Sequence, residues 1–307
     1  MQIFRHLHKN TQSPLALTIG NFDGLHLGHQ MLMHRLREQA QAHGWRTAVM
    51  TFEPHPLAVL RNKPARRIAG ISDKMRRLAA ANLDVLYIPL FNQSFAARSH
   101  LDFATLLFDD LAARYVLVGE NFRFGKGRLG DVALLQAVGA TYGATIEGAK
   151  LFTKDGVAVS SGRIRSCLQA ADFGAAATLL GRDWTLRGRV IHGRGMGKKL
   201  GFPTANIRLD FMPVCEGIFA AEVLLDGDTW AAALSIGGNP TVSTDGKIKA
   251  EAHIVDFDGD LYGRRIEVRP LLKLRDEQTY GDVAQLRAAI ADDIKAVREF
   301  FKRMPNL

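Results

Sequence analysis

One short polar segment of the chain carries residue types suited to phosphate chemistry. Thr18 to His29 reads TIGNFDGLHLGH, in which a predicted strand leads through an Asp-Gly turn into a long helical pattern. His26 and His29 then lie at the start of the helix, where free N–H groups and the helix dipole attract anions. Gly28 leaves room for a ligand to approach the backbone. The spacing predicts a phosphate site; a turn with two surface histidines is the alternative.

Two further loops follow predicted strands and carry polar side chains. They read TFEPHP (51–56) and GENFRFGKGRLGD (119–131). Ligands of an open parallel sheet bind beyond the carboxyl ends of its strands, so we expect both loops to converge on the two histidines. Arg123, Lys126 and Arg128 are candidates for phosphate contacts, and solvated surface side chains are the alternative.

A serine-rich segment, SSGRIR (160–165), precedes another helical pattern. Ser161 can cap that helix, and Arg163 or Arg165 can neutralise a triphosphate. Helix capping alone is the alternative interpretation of this segment.

The second half contains a glycine-rich basic loop, GRGMGKKLGFPTANI (193–207). It is not a Walker loop, because Lys199 replaces the required Ser or Thr and His192 stands where the first glycine should be. The extended PTAN segment places Thr204 and Asn206 on the same side, and their oxygens suit Mg²⁺ carrying ATP phosphates. A simple turn is the alternative.

An acidic segment, EAHIVDFDGDLYG, follows further along the chain. Glu251 lies near the start of a predicted strand, where its carboxylate can take a proton from an attacking hydroxyl; a solvated strand-edge side chain is the alternative. Asp256, Asp258 and Asp260 have EF-hand spacing. However, Leu261 occupies the glycine position of such a loop and strands flank it, so we predict a hairpin turn.

The elements that hold these residues change in type along the chain. Before about residue 184, short apolar runs alternate with helical patterns such as Gln30 to Ala42 and Phe103 to Ala113, which predicts an α/β domain with a parallel sheet. After it, strands separated by Gly, Asp and Asn predict an antiparallel barrel or sandwich, closed by an apolar helical stripe from Val283 to Val297. We predict domains at 1–183 and 184–307.

The composition is that of a folded protein. Of 307 residues, 47% are hydrophobic and 23% are charged, which excludes a disordered or collagen-like chain. No run approaches the ~18 apolar residues of a membrane span, and the first residues have no uninterrupted apolar core, so we expect a cytoplasmic protein. The net charge of +9 fits nucleic acid, acidic lipid or phosphorylated ligands. Because the basic residues are interleaved with glycines, discrete phosphate sites are favoured.

Taken in order, the motifs resemble a known enzyme family. GNFDGLHLGH, TFEPHP, GENFRFG and SSGRIR resemble the adenylyltransferase module of the bacterial bifunctional riboflavin kinase/FAD synthetases. GKKLGFPTANI, GIFAAEV, EAHIVDFDGDLYG and LRDEQTY resemble the riboflavin kinase module. The resemblance covers most of the chain. It implies a nucleotidyltransferase-type parallel-sheet domain and a C-terminal antiparallel β-barrel domain with a terminal helix, which use ATP as co-substrate and Mg²⁺ as cofactor.

The resemblance also implies roles for individual residues. His26 and His29 would bind ATP and stabilise charge on the transferring group. Thr204 and Asn206 would hold Mg²⁺, and Glu251 would be the kinase base. The other residues expected to contact nucleotide or flavin are Gly20, Asn21, Asp23, Gly28, Asn121, Arg123, Ser160, Ser161, Arg163, Arg165, Gly197, Lys198 and Arg275. Gly162 stands where the family usually has Thr, so this chain lacks that hydroxyl.

The implied activity is phosphorylation of riboflavin to FMN and adenylylation of FMN to FAD. The expected partners are riboflavin, FMN, FAD and ATP, without nucleic acid or membrane, and the sequence does not indicate the oligomeric state. One alternative is a nucleotidyltransferase whose barrel binds a flavin without catalysis. An RNA-binding protein is another, suggested by the net charge and by the run from Arg123 to Arg128, which lacks the RNA-recognition signature.

Overall fold

The computed structural model describes residues 1–10, 12–193, 195–237 and 249–304. In the first part of the chain the elements are β1 Gln2–Phe4, β2 Leu15–Ile19, α1 Leu27–His43, β3 Arg46–Met50, α2 Pro56–Arg61, β4 Arg66–Arg67, α3 Ile71–Ala80, β5 Val85–Tyr87, α4 Gln93–Ala96, α5 His100–Thr105, β6 Ala113–Gly119, α6 Val132–Thr141, β7 Thr145–Ala149, β8 Thr153–Lys154, β9 Val157–Ala158, α7 Ser161–Gln169 and α8 Phe173–Leu180. A π-helical turn, Leu106–Asp110, follows α5, and a 3₁₀ turn covers Lys126–Arg128.

A parallel sheet organises this part, which confirms the predicted α/β domain. Its strand order is β1–β5–β3–β2–β6–β7, and neighbouring strands are parallel. Both faces are covered: Leu15 and Leu17 of β2 pack in one apolar cluster, and Ala16 packs in the other. From β2 the chain continues to β3, which lies on one side of β2. It later returns to form β6, which lies on the other side of β2. The carboxyl ends of β2 and β6 therefore flank a switch point, where ligands of open sheets bind.

The predicted helix from Phe103 to Ala113 is wrong at its end. The π-helical turn stops at Asp110, and Ala112 has a φ of 52°. This left-handed conformation ends a helix, and Ala113 already begins β6. Propensity alone did not indicate the break because Leu111, Ala112 and Ala113 are all compatible with a helix.

The second part forms an antiparallel barrel, as predicted. Its elements are β10 Leu186–Ile191, α9 Met196–Leu200, β11 Ala205–Arg208, β12 Met212–Pro213, β13 Gly217–Leu225, β14 Asp228–Gly237, β15 Lys249–Ile254, β16 Arg265–Arg275 and α10 Val283–Lys302. The barrel closes in the order β10–β11–β15–β14–β13–β16. Ile294 and Val297 of α10 pack against Ala220 and Val255. Val283 in the first turn is 59% exposed, so the apolar stripe of α10 begins after it.

The backbone contacts divide the chain into two compact units. One consists of residues 1–65 and 71–161, and the other of 66–70 and 162–307. The segment 66–70 belongs to the barrel unit because β4 pairs with β12, and because Trp184 Nε1 donates to the carbonyl of Ile68 at 2.7 Å. The domain boundary at residue 183 stays a prediction.

Candidate active sites

The loop after β2 is held in a constrained conformation. Gly20 N donates to the carbonyl of Met50 at the end of β3, at 3.0 Å. Phe22 and Leu25 then have φ values of 46° and 42°, although both are apolar and buried. A left-handed backbone is costly for such residues, so surrounding contacts must hold the loop in place. The chain thereby reaches α1 along one defined path.

His26 and His29 meet at the start of α1. Their rings are stacked, with centroids 3.6 Å apart, and Phe22 packs edge-on against His29 at 5.0 Å. The backbone N–H of His29 donates to the carbonyl of His26, which forms the first turn of the helix. A Cβ at Gly28 would lie 3.3 Å from Nδ1 of His26, so a side chain there would press on the ring. The predicted pair therefore shares one helix N-terminus.

The surroundings keep the His29 ring neutral. Burial lowers the pKa of His29 well below its usual value, and the nearby positive charges of His26 and Lys74 lower it further. A neutral imidazole still has one N–H to donate to a phosphate oxygen. His29 is therefore suited to hydrogen bonding at neutral pH rather than to carrying a charge.

Ser161 and Asp23 meet beside this loop. Asp23 is 1% exposed, and its carbonyl accepts a hydrogen bond from Ser161 Oγ at 3.0 Å. Ser161 thus braces the loop after β2, which neither the capping interpretation nor a direct ligand contact anticipated. Arg163 and Arg165 follow on α7, where Arg163 is exposed and Arg165 is partly buried.

The loop after β6 holds two further predicted residues. Asn121 is exposed, and Arg123 forms an ion pair with Asp131 at 3.1 Å. Asp131 also caps α6 by accepting from the N–H of Leu134. Arg123 is therefore tied to the start of α6 and is not simply solvated.

Thr204, Asn206 and Glu251 meet on the outer face of the barrel. The strand register places Asn206 of β11 opposite Glu251 of β15, while the flanking Ala205 and Ala252 are buried. Thr204 Oγ1 lies 3.5 Å from Glu251 Oε2. Side chains alternate between the two faces of a strand, so Thr204 and Asn206 share the side that Glu251 occupies. The structure brings together three residues that lie far apart in the sequence.

Two glycines let the basic loop approach this face closely. A Cβ at Gly193 would overlap the side-chain amide of Asn206. A Cβ at Gly197 would lie 3.0 Å from Thr204 Oγ1 and would overlap the carbonyl of Phe202. Lys198 follows on α9 and is exposed. The absence of side chains at these glycines is what allows the backbone to lie over Thr204 and Asn206.

The side-chain oxygen atoms on this face are of the kind that Mg²⁺ prefers as ligands. The hydroxyl of Thr204 and the amide oxygen of Asn206 are hard donors, and the Glu251 carboxylate lies beside them. Within the described residues there is no group of three His, Cys, Asp or Glu side chains suited to a metal. Magnesium commonly keeps water and substrate phosphates as ligands, so a sparse set of protein oxygens is sufficient.

A second carboxylate, which the sequence analysis missed, lies near Glu251. Glu277 Oε1 accepts a hydrogen bond from Ser235 Oγ at 3.3 Å, and Ser235 lies opposite Glu251 in the β14–β15 register. Burial raises the pKa of Glu277, and the negative charges of Glu216 and Glu251 add to the rise. The LRDEQTY motif contains Glu277, but its spacing did not indicate which strand the side chain would reach.

Arg275 has a structural partner. Its guanidinium binds the Asp293 carboxylate of α10 with two hydrogen bonds, at 2.8 and 2.6 Å. It also lies 5.9 Å from the ring centroid of Tyr280. This arrangement ties the end of β16 to α10. Contact of Arg275 with nucleotide or flavin stays a prediction.

Comparisons with known proteins match the two parts of the chain to different family models. A family model described as FAD synthetase matches residues 8–163, and one described as riboflavin kinase matches residues 180–301. A protein from Pseudomonas fluorescens named bifunctional riboflavin kinase/FMN adenylyltransferase is 38% identical over 302 residues, 97% of each chain. The Escherichia coli K12 protein of the same name is 38% identical over 309 residues, 98% of each chain.

The chain belongs to the bifunctional riboflavin kinase/FMN adenylyltransferase family. A solved structure described as a macrolide-efflux protein from Streptococcus pneumoniae has a similar fold, with a TM-score of 0.75 and 26% identity. It covers 96% of this chain and 98% of its own. In the part of the chain that the structure describes, none of the helices is both long and apolar enough to cross a membrane.

Each site of this bifunctional kinase/adenylyltransferase lies within one matched stretch. The histidine pair lies in the stretch matched by the FAD synthetase model, and Thr204, Asn206 and Glu251 lie in the stretch matched by the riboflavin kinase model. The chain is therefore an enzyme that carries both modules of the family.

Sequence reasoning also missed Lys74 of the adenylyltransferase module. Helical spacing could have indicated that Lys74 is buried, because it lies three residues after Ile71 and four before Leu78, on the apolar side of α3. Leu78 packs in the buried cluster together with the half-buried Ile71. A lysine at such a position is buried with its neighbours.

Proposed function

We propose that the barrel transfers the γ-phosphoryl group of ATP to the ribityl hydroxyl of riboflavin, and that the α/β unit then transfers AMP from a second ATP to the FMN produced. The observation that carries the proposal is the meeting of Thr204, Asn206 and Glu251 on one face of the barrel. A separate pair, His26 and His29, is assembled at the start of α1.

In the kinase step, Glu251 acts as general base. Its carboxylate accepts the proton of the ribityl hydroxyl as the hydroxyl oxygen attacks the γ-phosphorus, and ADP leaves with the bridging oxygen. Thr204 and Asn206 would hold Mg²⁺, which neutralises charge on the ATP phosphates when it is bound. Phosphoryl transfer gains most from positioning and charge stabilisation, so this small set of groups is adequate.

In the adenylyl step, a phosphate oxygen of FMN attacks the α-phosphorus of ATP. The bond between the α-phosphorus and its bridging oxygen breaks, and pyrophosphate leaves. His26 and His29 donate hydrogen bonds to the phosphate oxygens as charge shifts, assisted by the N-terminus of α1. No proton needs to be removed from FMN, which agrees with a neutral His29 that serves as a donor.

The remaining predicted contacts complete the two substrate sites in this proposal. Gly20, Asn21, Asp23, Gly28, Asn121, Arg123, Ser160 and Ser161 contact the nucleotide and flavin in the adenylyl step, and Gly197, Lys198 and Arg275 serve the kinase step. Contact of Arg163 and Arg165 with these substrates stays a prediction. We propose a cytoplasmic location because both steps consume ATP, and cell fractionation with an antibody to the chain would test it.

One incubation tests the proposal. Purified protein is mixed with riboflavin and excess ATP and Mg²⁺, and the flavins are separated at intervals. We expect FMN to appear first and FAD to follow, and we expect chelation of Mg²⁺ to stop both steps. Unchanged riboflavin would contradict the kinase assignment. A parallel incubation contains FMN in place of riboflavin. Conversion of this FMN to FAD, with riboflavin unchanged in the first incubation, would indicate a barrel that binds flavin without catalysis.

A further inference from the structure

Lys74 is one of the most deeply buried side chains of the α/β unit. It is 1% exposed and lies on α3, whose Leu78 is fully buried in the adjacent apolar cluster. A lysine is rarely buried so completely, because removing an ammonium group from water is costly unless polar groups receive it. The position therefore requires an explanation beyond packing.

The ammonium group joins two loops that follow neighbouring strands. Lys74 Nζ donates to the carbonyl of Asn21 at 2.6 Å and to Thr51 Oγ1 at 3.2 Å. Thr51 Oγ1 in turn donates to the same carbonyl of Asn21 at 3.2 Å. The three groups form a closed triangle between the loop after β2 and the loop after β3.

The triangle holds the loop just before its constrained part. Asn21 directly precedes Phe22, where the backbone becomes left-handed, and His26 and His29 follow within eight residues of Asn21. A shift of the Asn21 carbonyl would be transmitted along this short path to both rings. Displacements of about 1 Å at such a site cost roughly 10²-fold in rate.

We propose that Lys74 is a positioning residue for adenylyl transfer, which fixes the loop after β2 so that His26 and His29 face the ATP phosphates. The inference rests on the proposed role of the two histidines.

The charge of Lys74 acts on His29 as well. Two charged groups that lower the pKa of His29 are His26, the residue just before α1, and Lys74, on α3. Both lower the pKa of His29, so removal of the lysine charge raises that pKa. An NMR titration of the His29 imidazole then shows a higher pKa when the lysine charge is removed and an unchanged pKa when the charge is kept. A loosened loop would raise the pKa in both cases, because burial is the largest cause of its low value.

The test compares Lys74→Met with Lys74→Arg. Met keeps the length and apolar stem of the side chain but removes the charge, and Arg retains the charge. We expect Lys74→Met to lower kcat for FAD formation by roughly 10²-fold, to raise the pKa of His29, and to leave FMN formation unchanged. Lys74→Arg should recover part of the rate and keep the wild-type pKa of His29. Lys150→Met, at an exposed lysine of the same unit, is the matched control.

Several results would overturn the inference. One is a stable Lys74→Met protein with wild-type kcat and an unchanged pKa of His29; another is a loss of rate that only follows the unfolded fraction. If Lys74→Met does not fold, Thr51→Val removes one corner of the triangle at nearly constant volume, and it should lower kcat for FAD formation several-fold without affecting FMN formation; an unchanged rate would refute the positioning role. His29→Ala separates the two proposals. A fully active His29→Ala protein refutes the proposed site, whereas an inactive one beside a normal Lys74→Met protein refutes only the role of Lys74.

Discussion

Gly193 lies so close to Asn206 that a Cβ on residue 193 would overlap the side-chain amide of Asn206. We therefore expect Gly193→Ala to displace Asn206 or the loop and to lower FMN formation by roughly 10²-fold. FAD formation from supplied FMN should be unaffected. Gly281→Ala is the control, since its nearest neighbour, Gln285 Oε1, would be 3.6 Å from the new Cβ. Equal activity of both variants would show that Asn206 does not need its present position.

Glu251→Gln tests the assignment of the kinase base. Glutamine keeps the size of the side chain but cannot accept the proton, so we expect FMN formation to fall by roughly 10²- to 10⁴-fold. FAD formation from supplied FMN and the melting temperature should stay near those of the wild type. Glu299→Gln, at an exposed position of α10, is the control. Full kinase activity in a stable Glu251→Gln protein would refute the assignment.

His29→Ala tests the adenylyl site. Loss of one hydrogen-bond donor to the transferring group should lower FAD formation by roughly 10²- to 10³-fold. FMN formation should be spared because the barrel carries that step. His34→Ala removes an exposed imidazole from the same helix and should change neither rate. Equal losses of both activities in the His29 variant would argue against separate sites.

Arg275 and Asp293 form a partly buried pair whose loss should affect stability. We expect Arg275→Met and Asp293→Asn each to lower the free energy of unfolding by about 2 kcal/mol, because each leaves a partly buried charge without its partner. The double variant should cost little more than either change alone. Denaturant unfolding of all four proteins measures this coupling. A raised KM for ATP or riboflavin in Arg275→Met alone, with Asp293→Asn unaffected, would instead favour direct substrate contact.

Two fragments test the boundary near residue 183. Both 184–307 and 162–307 contain Thr204, Asn206 and Glu251, so we expect both to phosphorylate riboflavin. Both should be less stable than the full chain, because both lack the segment 66–70 that pairs with β12. The shorter one loses Phe173, whose ring centroid lies 6.0 Å from that of Trp184 and 5.7 Å from that of Phe219. We therefore expect its melting temperature to be lower. An unfolded 184–307 fragment beside a folded 162–307 fragment would move the boundary to residue 162.

The parts of the structure that depend on short-range periodicity were predictable. The two-residue period of a strand is enough to put Thr204 and Asn206 on one side, and a helix beginning near His26 follows from the apolar pattern after it. Helix endings were less predictable. The left-handed conformation of Ala112 depends on packing around the turn, because the residue itself carries no turn preference.

The parts that depend on long-range contacts were not predictable from local patterns. Ser161 could be expected to cap a helix, but its bond to the carbonyl of Asp23 requires the folded loop after β2. Glu277 and Ser235 come together only when the barrel closes. Arg275 is a residue type common in phosphate-binding sites, and nothing in the local sequence indicates that its guanidinium will bind Asp293 on α10. Partner choice of this kind is decided by tertiary structure.

The segment 66–70 has a consequence for synthesis of the chain on the ribosome. Ile68 is fully buried and Ala69 is nearly so, and β4 pairs with β12 at Met212 and Pro213. The ribosome releases this segment long before β12 and Trp184 emerge to cover it. A nascent chain therefore exposes the apolar side chains of Ile68 and Ala69 beside the unpaired strand β4 until β12 emerges, a state prone to association with other chains. Chaperones that bind exposed apolar side chains should engage the polypeptide until Pro213 has emerged from the ribosome.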